Sequence, residues 1–411
     1  MHHTFNSFYV AYHIRAHLLN ILVDILSKTT ENYIMETTNN LFDYLTWRGD
    51  LTFDQAPFCE IDGLICSKLA YIPYEHYFDQ PGRQSHRLSS ICDKLLSLPN
   101  IRDYLLEDQD DSLLLALSKA PRYSSIKIYD YVSIFDSQTE TQFSACCLKL
   151  SPELIVVSFR GTDSTIVGWK EDFNLSFISP LRSQELATTY LNDMASKHTG
   201  SIIVTGHSKG GNLAIYGGIY TTHHVQNRIK RIYAYDSPGF PEHVINSSGY
   251  RKIYKRIESF VPQGSMVGML LGHKEKYQII HSSAAKMREQ HFLYSWDVIG
   301  SHFVYEQELF SRSVYFECTM RQWLECMSPA EIEGFIESLY LLFENVDDTT
   351  LSEMRTNWVK NSRAMLTSLK NLDKSQKQEI LSGLSSLYKI AKDQLISNAK
   401  SALKRTDSQS S

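Results

Sequence analysis

No run of apolar residues in this 411-residue chain approaches the roughly 18 needed to span a bilayer. The longest candidate, residues 18–26, is interrupted by Asn20 and Asp24, and it lacks both a basic flank and a small-residue cleavage site. It reads as a short amphipathic helix. There is no excess of basic charge either: 41 Lys+Arg against 46 Asp+Glu leave a net charge of -5. Such a balance provides no bulk positive field for nucleic acid or anionic lipid, so no nucleic-acid partner is expected. The chain also lacks CxxC spacing. Its seven cysteines (Cys59, Cys66, Cys92, Cys146, Cys147, Cys318, Cys326) are odd in number and scattered. That pattern fits reduced thiols in a cytoplasmic setting, and neither a disulfide framework nor a metal site. No cofactor is expected.

What remains is a chain of ordinary globular composition, 43% hydrophobic and 21% charged, too long for a single compact domain. Residues 1–35 form an amphipathic extension, and Met35 could serve as the genuine start. Residues 36–120 alternate short helical patterns with polar turns and carry no chemical motif. From Ile126 the period changes to two. Ile126–Phe135, Thr141–Leu150 and Leu154–Phe159 read as a three-strand meander, the last strand buried on both faces. Helical patterns over 183–197 and Lys209–Thr222 then alternate with strands at Ser201–Gly206, Ile232–Asp236, Ile253–Val261 and Tyr277–His281. This order predicts an α/β fold: a mostly parallel sheet opened by an antiparallel meander, with helices on both faces.

After about residue 310 the strands stop, and residues 311–411 read as an all-helical module. Capping boxes at Ser328-Pro329-Ala330-Glu331 and Thr350-Leu351-Ser352-Glu353 open two of its helices. The first carries an apolar stripe of Ile332, Phe335, Ile336, Leu339 and Tyr340. A third helix spans Lys374–Leu403, followed by a polar tail, Asp407–Ser411.

The sharpest chemical signal is Gly206-His207-Ser208-Lys209-Gly210-Gly211, set between a strand and a helix. This is the G-x-S-x-G pattern of a nucleophile elbow. Ser208 must sit at a strained turn, where a Cβ two residues away would strike the neighbouring strand or helix. Its Oγ then stands at a helix N-terminus, whose N–H groups favour a developing anion. Of the 15 histidines, those following the serine are His223, His224, His243, His273, His281, His291 and His302. His223 and His224 close the elbow helix at its far end and point away. His291 lies past the last main strand, where a loop can bring it over Ser208 as the base. For the acid, Asp236 ends the next strand and emerges on the same sheet edge; Glu258, Asp297 and Asp172 are alternatives. Oxyanion donors would be the Lys209 N–H and the strand-end segment Phe159-Arg160-Gly161-Thr162, with Thr162 offering N–H and hydroxyl. Arg160 is read as an ion-pair or carbonyl clamp. The apolar patch Met266–Leu271, including Met266, Met269 and Leu270, is read as an acyl pocket or lid, or else as a buried loop end.

These segments, with Trp169 and Asp172, resemble the lipase class 3 branch of the α/β-hydrolases. The fuller set is similar to the bacterial Mbeg1-like proteins, a lipase-like family. It comprises Asn40-Leu41-Phe42-Asp43-Tyr44, Asp236-Ser237-Pro238-Gly239-Phe240, Val261–Leu270 and Gln290-His291 with Trp296, and it covers residues 36–310. The resemblance implies an α/β-hydrolase (lipase class 3-like) fold, with Ser208 as nucleophile, His291 as base, and Thr162 and Lys209 as oxyanion donors. It also exposes a departure. Where class 3 lipases place their acid, in an Asp-x-Val-Pro stretch, this chain has Ser265-Met266-Val267-Gly268. Asp236 could take that role, Ser208 and His291 could act as a dyad, or the site could have lost catalysis. Lys209 stands where lipases commonly carry Leu, which would favour an anionic substrate or place a cation toward solvent.

The expected function is a serine esterase or lipase-like hydrolase acting on a carboxylic ester or thioester of a small acyl or lipid substrate. Near-neutral charge implies that transient membrane contact would use apolar loops. The alternative is a catalytically weak or inactive hydrolase-fold scaffold that works through its C-terminal helices.

Overall fold

The computed structural model describes residues 39–78, 85–136, 138–139, 141–162, 170–171, 174–175, 179–342 and 358–409. The N-terminal amphipathic stretch, Met35, Trp169, Asp172 and the capping box at Thr350 lie outside these described residues.

The opening helices are α1 (Leu41–Arg48), α2 (Glu60–Leu69), α3 (Leu88–Leu96) and α4 (Asp110–Lys119), with a short strand β1 (Ser85–Arg87) between α2 and α3. Asn40 starts α1 through a capping box with Asp43, each side chain accepting from the other's backbone N–H. The period-two segments form β2 (Lys127–Asp136), β3 (Thr141–Ser151) and β4 (Leu154–Phe159). Then follow α5 (Arg182–Lys197), β5 (Ser201–His207), α6 (Lys209–Tyr220), β6 (Ile229–Tyr235), β7 (Ile257–Pro262) and β8 (Tyr277–Ile280). A hairpin of β9 (Val298–Ile299) and β10 (His302–Phe303) precedes β11 (Tyr305–Glu306). The long strand expected over Ile253–Val261 begins four residues later. Ser247 caps a helical segment, Ser248–Ile253, which buries Tyr250 and Ile253, so its apolar residues face the core in helical register.

Among the described residues nine strands make one sheet in the order β1-β2-β3-β4-β5-β6-β7-β8-β11. The β1 to β4 pairings are antiparallel, those from β4 through β8 are parallel, and β11 closes the far edge antiparallel. This is the expected architecture, a parallel body opened by an antiparallel meander. Two apolar layers cover it. On one face α2, α3 and α4 pack with Tyr233, Tyr235, Phe260, Leu293 and Trp296. On the other, α5 and α6 bury Leu191, Leu213 and Ile215 against Val157, Val204 and Ala234. Burial of β5 on both faces explains its continuous apolar run. The opening helices are therefore one wall of the hydrolase-like core.

Among the described residues the C-terminal helices are α7 (Ser311–Glu325), α8 (Pro329–Leu341), α9 (Trp358–Asn371) and α10 (Lys374–Gln409). Ser328 and Glu331 form the capping box read from the sequence, and α10 continues past Leu403 into the residues expected as a polar tail. Trp323, Ile332, Phe335 and Ile336 form a small core of their own. Among the described residues no helix is long and apolar enough to cross a membrane, and no cluster of three or more His, Cys, Asp or Glu could hold a metal ion.

Candidate active site

The elbow is built by backbone crowding. A Cβ on Gly206 would lie 2.1 Å from the Gly210 carbonyl oxygen, and one on Gly210 would lie 2.2 Å from that of Phe159. Both positions therefore require glycine, as the motif predicts. Between them Ser208 has φ 58 and ψ -132, a left-handed conformation whose cost is about 1–3 kcal/mol for a residue with a side chain. Its N–H donates to the Tyr235 carbonyl at 2.9 Å, which holds the strained turn against β6. The side chain makes no capping hydrogen bond to α6, so Oγ is not spent on holding its own helix.

Parallel strands bring the other groups to the same edge. Asp236 follows β6, with φ 43 and its N–H donating to the Phe260 carbonyl at 2.8 Å. Its carboxylate is 1% exposed. His291 sits in the loop after β8, and its Nδ1–H donates to Asp236 Oδ2 at 2.6 Å. That bond fixes the tautomer, leaving the Nε2 lone pair as the basic site. The His291 side chain is 23% exposed, so the ring meets solvent on one side while its partner is sealed. Among the described residues no hydrogen bond joins Ser208 Oγ to His291. Two neighbours of His291 anchor its loop. Gln290 Oε1 accepts from the Gly264 N–H at 2.6 Å, and the buried Trp296 donates its indole N–H to the Gln290 carbonyl at 2.8 Å.

The departure from the lipase pattern has a structural counterpart. Ser265 Oγ–H and the Gly268 N–H, the latter at 3.0 Å, both donate to Asp236 Oδ1. The segment where class 3 lipases carry an acid thus holds a carboxylate that comes from the preceding strand. The Asp236-Ser237-Pro238-Gly239 turn is itself clamped by buried Asn212, whose amide donates to the Gly239 carbonyl at 2.8 Å. Two of the alternative acids are occupied elsewhere: Asp297 pairs with His281 at 2.6 Å and Glu258 with Arg231 at 3.1 Å.

Gly161 brings the strand-end loop against the nucleophile: a Cβ there would lie 3.1 Å from Ser208 Cβ and 2.6 Å from the His207 carbonyl oxygen. Thr162, half-buried, follows directly. The Lys209 side chain reaches neither solvent nor a substrate position. It is 1% exposed, and its Nζ donates to Glu171 Oε2 at 2.6 Å and to the Gln142 carbonyl at 3.0 Å. Both expectations for that cation fail, because the ammonium is held in the interior by the Glu171 carboxylate and the Gln142 carbonyl. The adjacent Lys170 pairs with Glu337 of α8 at 2.8 Å.

A family model described as Mbeg1-like matches residues 117–341, more than half of the chain. The chain belongs to the Mbeg1-like family. No curated protein sequence matches this Mbeg1-like chain. Among solved structures, the native Rhizomucor miehei lipase propeptide complex is 17% identical, with a TM-score of 0.31 over 48% of this chain and 68% of the other. The M37 lipase is 13% identical at TM-score 0.31, covering 51% of this chain and 70% of that one. A fungal lipase–inhibitor complex described as a model for interfacial activation is 16% identical at TM-score 0.34, covering 55% and 80%. These likenesses are distant, and the reading of the site rests on its own geometry.

In this Mbeg1-like chain Met269 is buried, Met266 and Leu270 are half-buried, and Phe292 beside His291 is 46% exposed. A cleft of about 600 Å³ lined by Tyr277, Ile279 and Tyr315 lies elsewhere, between the far sheet edge and the C-terminal helices. Sequence reasoning missed Tyr71. Its hydroxyl accepts the Gly161 N–H at 3.1 Å and lies 3.1 Å from His207 Nδ1. Residues 36–120 offered no signal for it beyond an aromatic residue shortly after a helix, because its partners are 90 and 136 positions away.

Proposed function

We propose that this protein is a serine hydrolase cleaving a carboxylic ester or thioester of an acyl or lipid substrate. The observation that carries the reading is the pairing of buried Asp236 with His291, 2.6 Å apart, on the sheet edge that holds Ser208 in a strained turn. Ser208 Oγ attacks the acyl carbon while His291 Nε2 takes its proton. Asp236 stabilises the imidazolium that forms. The N–H groups of Lys209 and Thr162 receive the oxyanion, and collapse expels the alcohol or thiol, protonated by His291. Water activated by the same base then releases the acid from Ser208. Half-buried Met266 and Leu270 and exposed Phe292, close in sequence to Ser265, Gly268 and His291, support an acyl chain over a charged group, and Lys209 supplies no cation to bind one.

The alternative of an inactive scaffold rests on the missing acid after β7; the hydrogen bonds that Ser265 and Gly268 donate to Asp236 support the active reading instead. A fluorophosphonate probe tests the proposal. Labelling of the wild type and none of Ser208→Ala is expected; equal labelling of both, or of neither, would remove it. A series of p-nitrophenyl esters of rising chain length then reads the acyl preference.

A further inference from the structure

Tyr71 lies just beyond α2, in the opening helical region, and touches two different parts of the site. The Gly161 N–H donates to its hydroxyl oxygen at 3.1 Å. The hydroxyl also lies 3.1 Å from His207 Nδ1, while His207 Nε2 lies 3.0 Å from the backbone carbonyl of His291. A carbonyl only accepts, so Nε2 must carry the proton, and a neutral ring then leaves Nδ1 as an acceptor for the Tyr71 hydroxyl. The contacts then run in one direction, Gly161 N–H to Tyr71, Tyr71 O–H to His207 and His207 N–H to His291, with the His207 carbonyl as a second, longer acceptor for the Tyr71 hydroxyl at 3.4 Å. Burial supports the neutral ring by holding the His207 pKa well below its usual 6.5, with His291 and Lys68, at the end of α2, as the ionisable neighbours that push the same way. The His207 ring lies against that of His291, centroids 4.4 Å apart.

We propose that Tyr71 and His207 are positioning residues, a hydrogen-bonded strut that sets the distance between the oxyanion loop at Gly161-Thr162 and the loop carrying His291. This inference rests on the hydrolase reading of Ser208. His207 is the residue before the nucleophile, so the strut is anchored on the elbow itself. Gly161 packs directly on the strut and admits no side chain, since a Cβ there would meet the Tyr71 hydroxyl at 2.3 Å. Losing the Tyr71 hydroxyl would leave the Gly161 N–H and His207 Nδ1 without partners and release the oxyanion loop, while neither group touches substrate.

Two measurements on the full chain test this. In the first, Tyr71→Phe keeps the ring and removes only the hydroxyl. Its kcat on a p-nitrophenyl ester is expected to fall about ten- to a hundredfold with KM little changed, at a melting temperature close to wild type. A Tyr71→Phe enzyme with wild-type kcat would overturn the strut, whereas a wild type that fails to label at Ser208 would overturn the hydrolase reading instead. The second measurement needs no activity. Histidine side-chain 15N NMR, with the His207 signal assigned by its loss in His207→Gln, should show the neutral Nε2–H tautomer throughout about pH 5 to 8. A His207 signal that titrates in this range, or that reports the Nδ1–H tautomer, would overturn the strut even if Tyr71→Phe did not fold.

Discussion

Ser265 donates its hydroxyl hydrogen bond to Asp236, from the stretch after β7 where a lipase-like chain would carry its own acid. The carboxylate and its support have exchanged strands: β6 supplies the acid and β7 supplies the hydroxyl and the Gly268 N–H that hold it. If Asp236 orients His291, Asp236→Asn should lower kcat/KM by about 10⁴-fold, because an amide favours the wrong imidazole tautomer. Ser265→Ala removes one hydrogen bond to a charged acceptor and should cost about ten- to a hundredfold. Steady-state kinetics of the two variants would decide; an Asp236→Asn enzyme as active as wild type would leave the dyad as the working unit.

Gly268 is tight against the same carboxylate. A Cβ there would lie 2.6 Å from both Asp236 Oδ1 and Val261 Cγ1. Gly268→Ala is therefore expected to displace Asp236 and lower activity, with a stability loss of about 1–3 kcal/mol from overpacking. Urea denaturation alongside fluorophosphonate labelling separates the two effects. Unchanged labelling would mean that the carboxylate can move without consequence.

The Lys209–Glu171 pair, 1% and 2% exposed, should behave as a buried ion pair. Lys209→Met strands a buried carboxylate and should cost about 3–5 kcal/mol, whereas Lys209→Met combined with Glu171→Met should recover most of that loss. Denaturant midpoints for the single and double variants test this. A double variant no more stable than the single would show that the pair is not an isolated unit.

Stability should also depend on pH through His207. Burial lowers its pKa well below 6.5 in the folded chain, so the unfolded chain binds a proton that the folded one does not. Its contribution is then complete above about pH 6.5 and is lost as pH falls below that value, at about 1.4 kcal/mol per pH unit. The expected result is a shallower acid-side slope of unfolding free energy in His207→Gln than in wild type. Parallel slopes would mean that His207 titrates alike in both states.

The sequence by itself determined the local chemistry of the elbow. Gly206 and Gly210 are dictated by contacts with the chain's own turn and with the adjoining strand, and those contacts follow from any strand–serine–helix turn at the sheet's edge. The meander, the parallel body and the capping of α8 were legible for the same reason: period and caps are short-range properties. The choice of acid was not. Asp236, Asp297 and Glu258 look alike in one dimension, and only the juxtaposition of β6 with β7 puts Ser265 and Gly268 around one of them and His291 within 2.6 Å of it. Tertiary structure alone also turned Lys209 inward to Glu171 and brought Tyr71 to Gly161. Such pairings depend on which elements the sheet order makes neighbours, and no spacing along the chain encodes that.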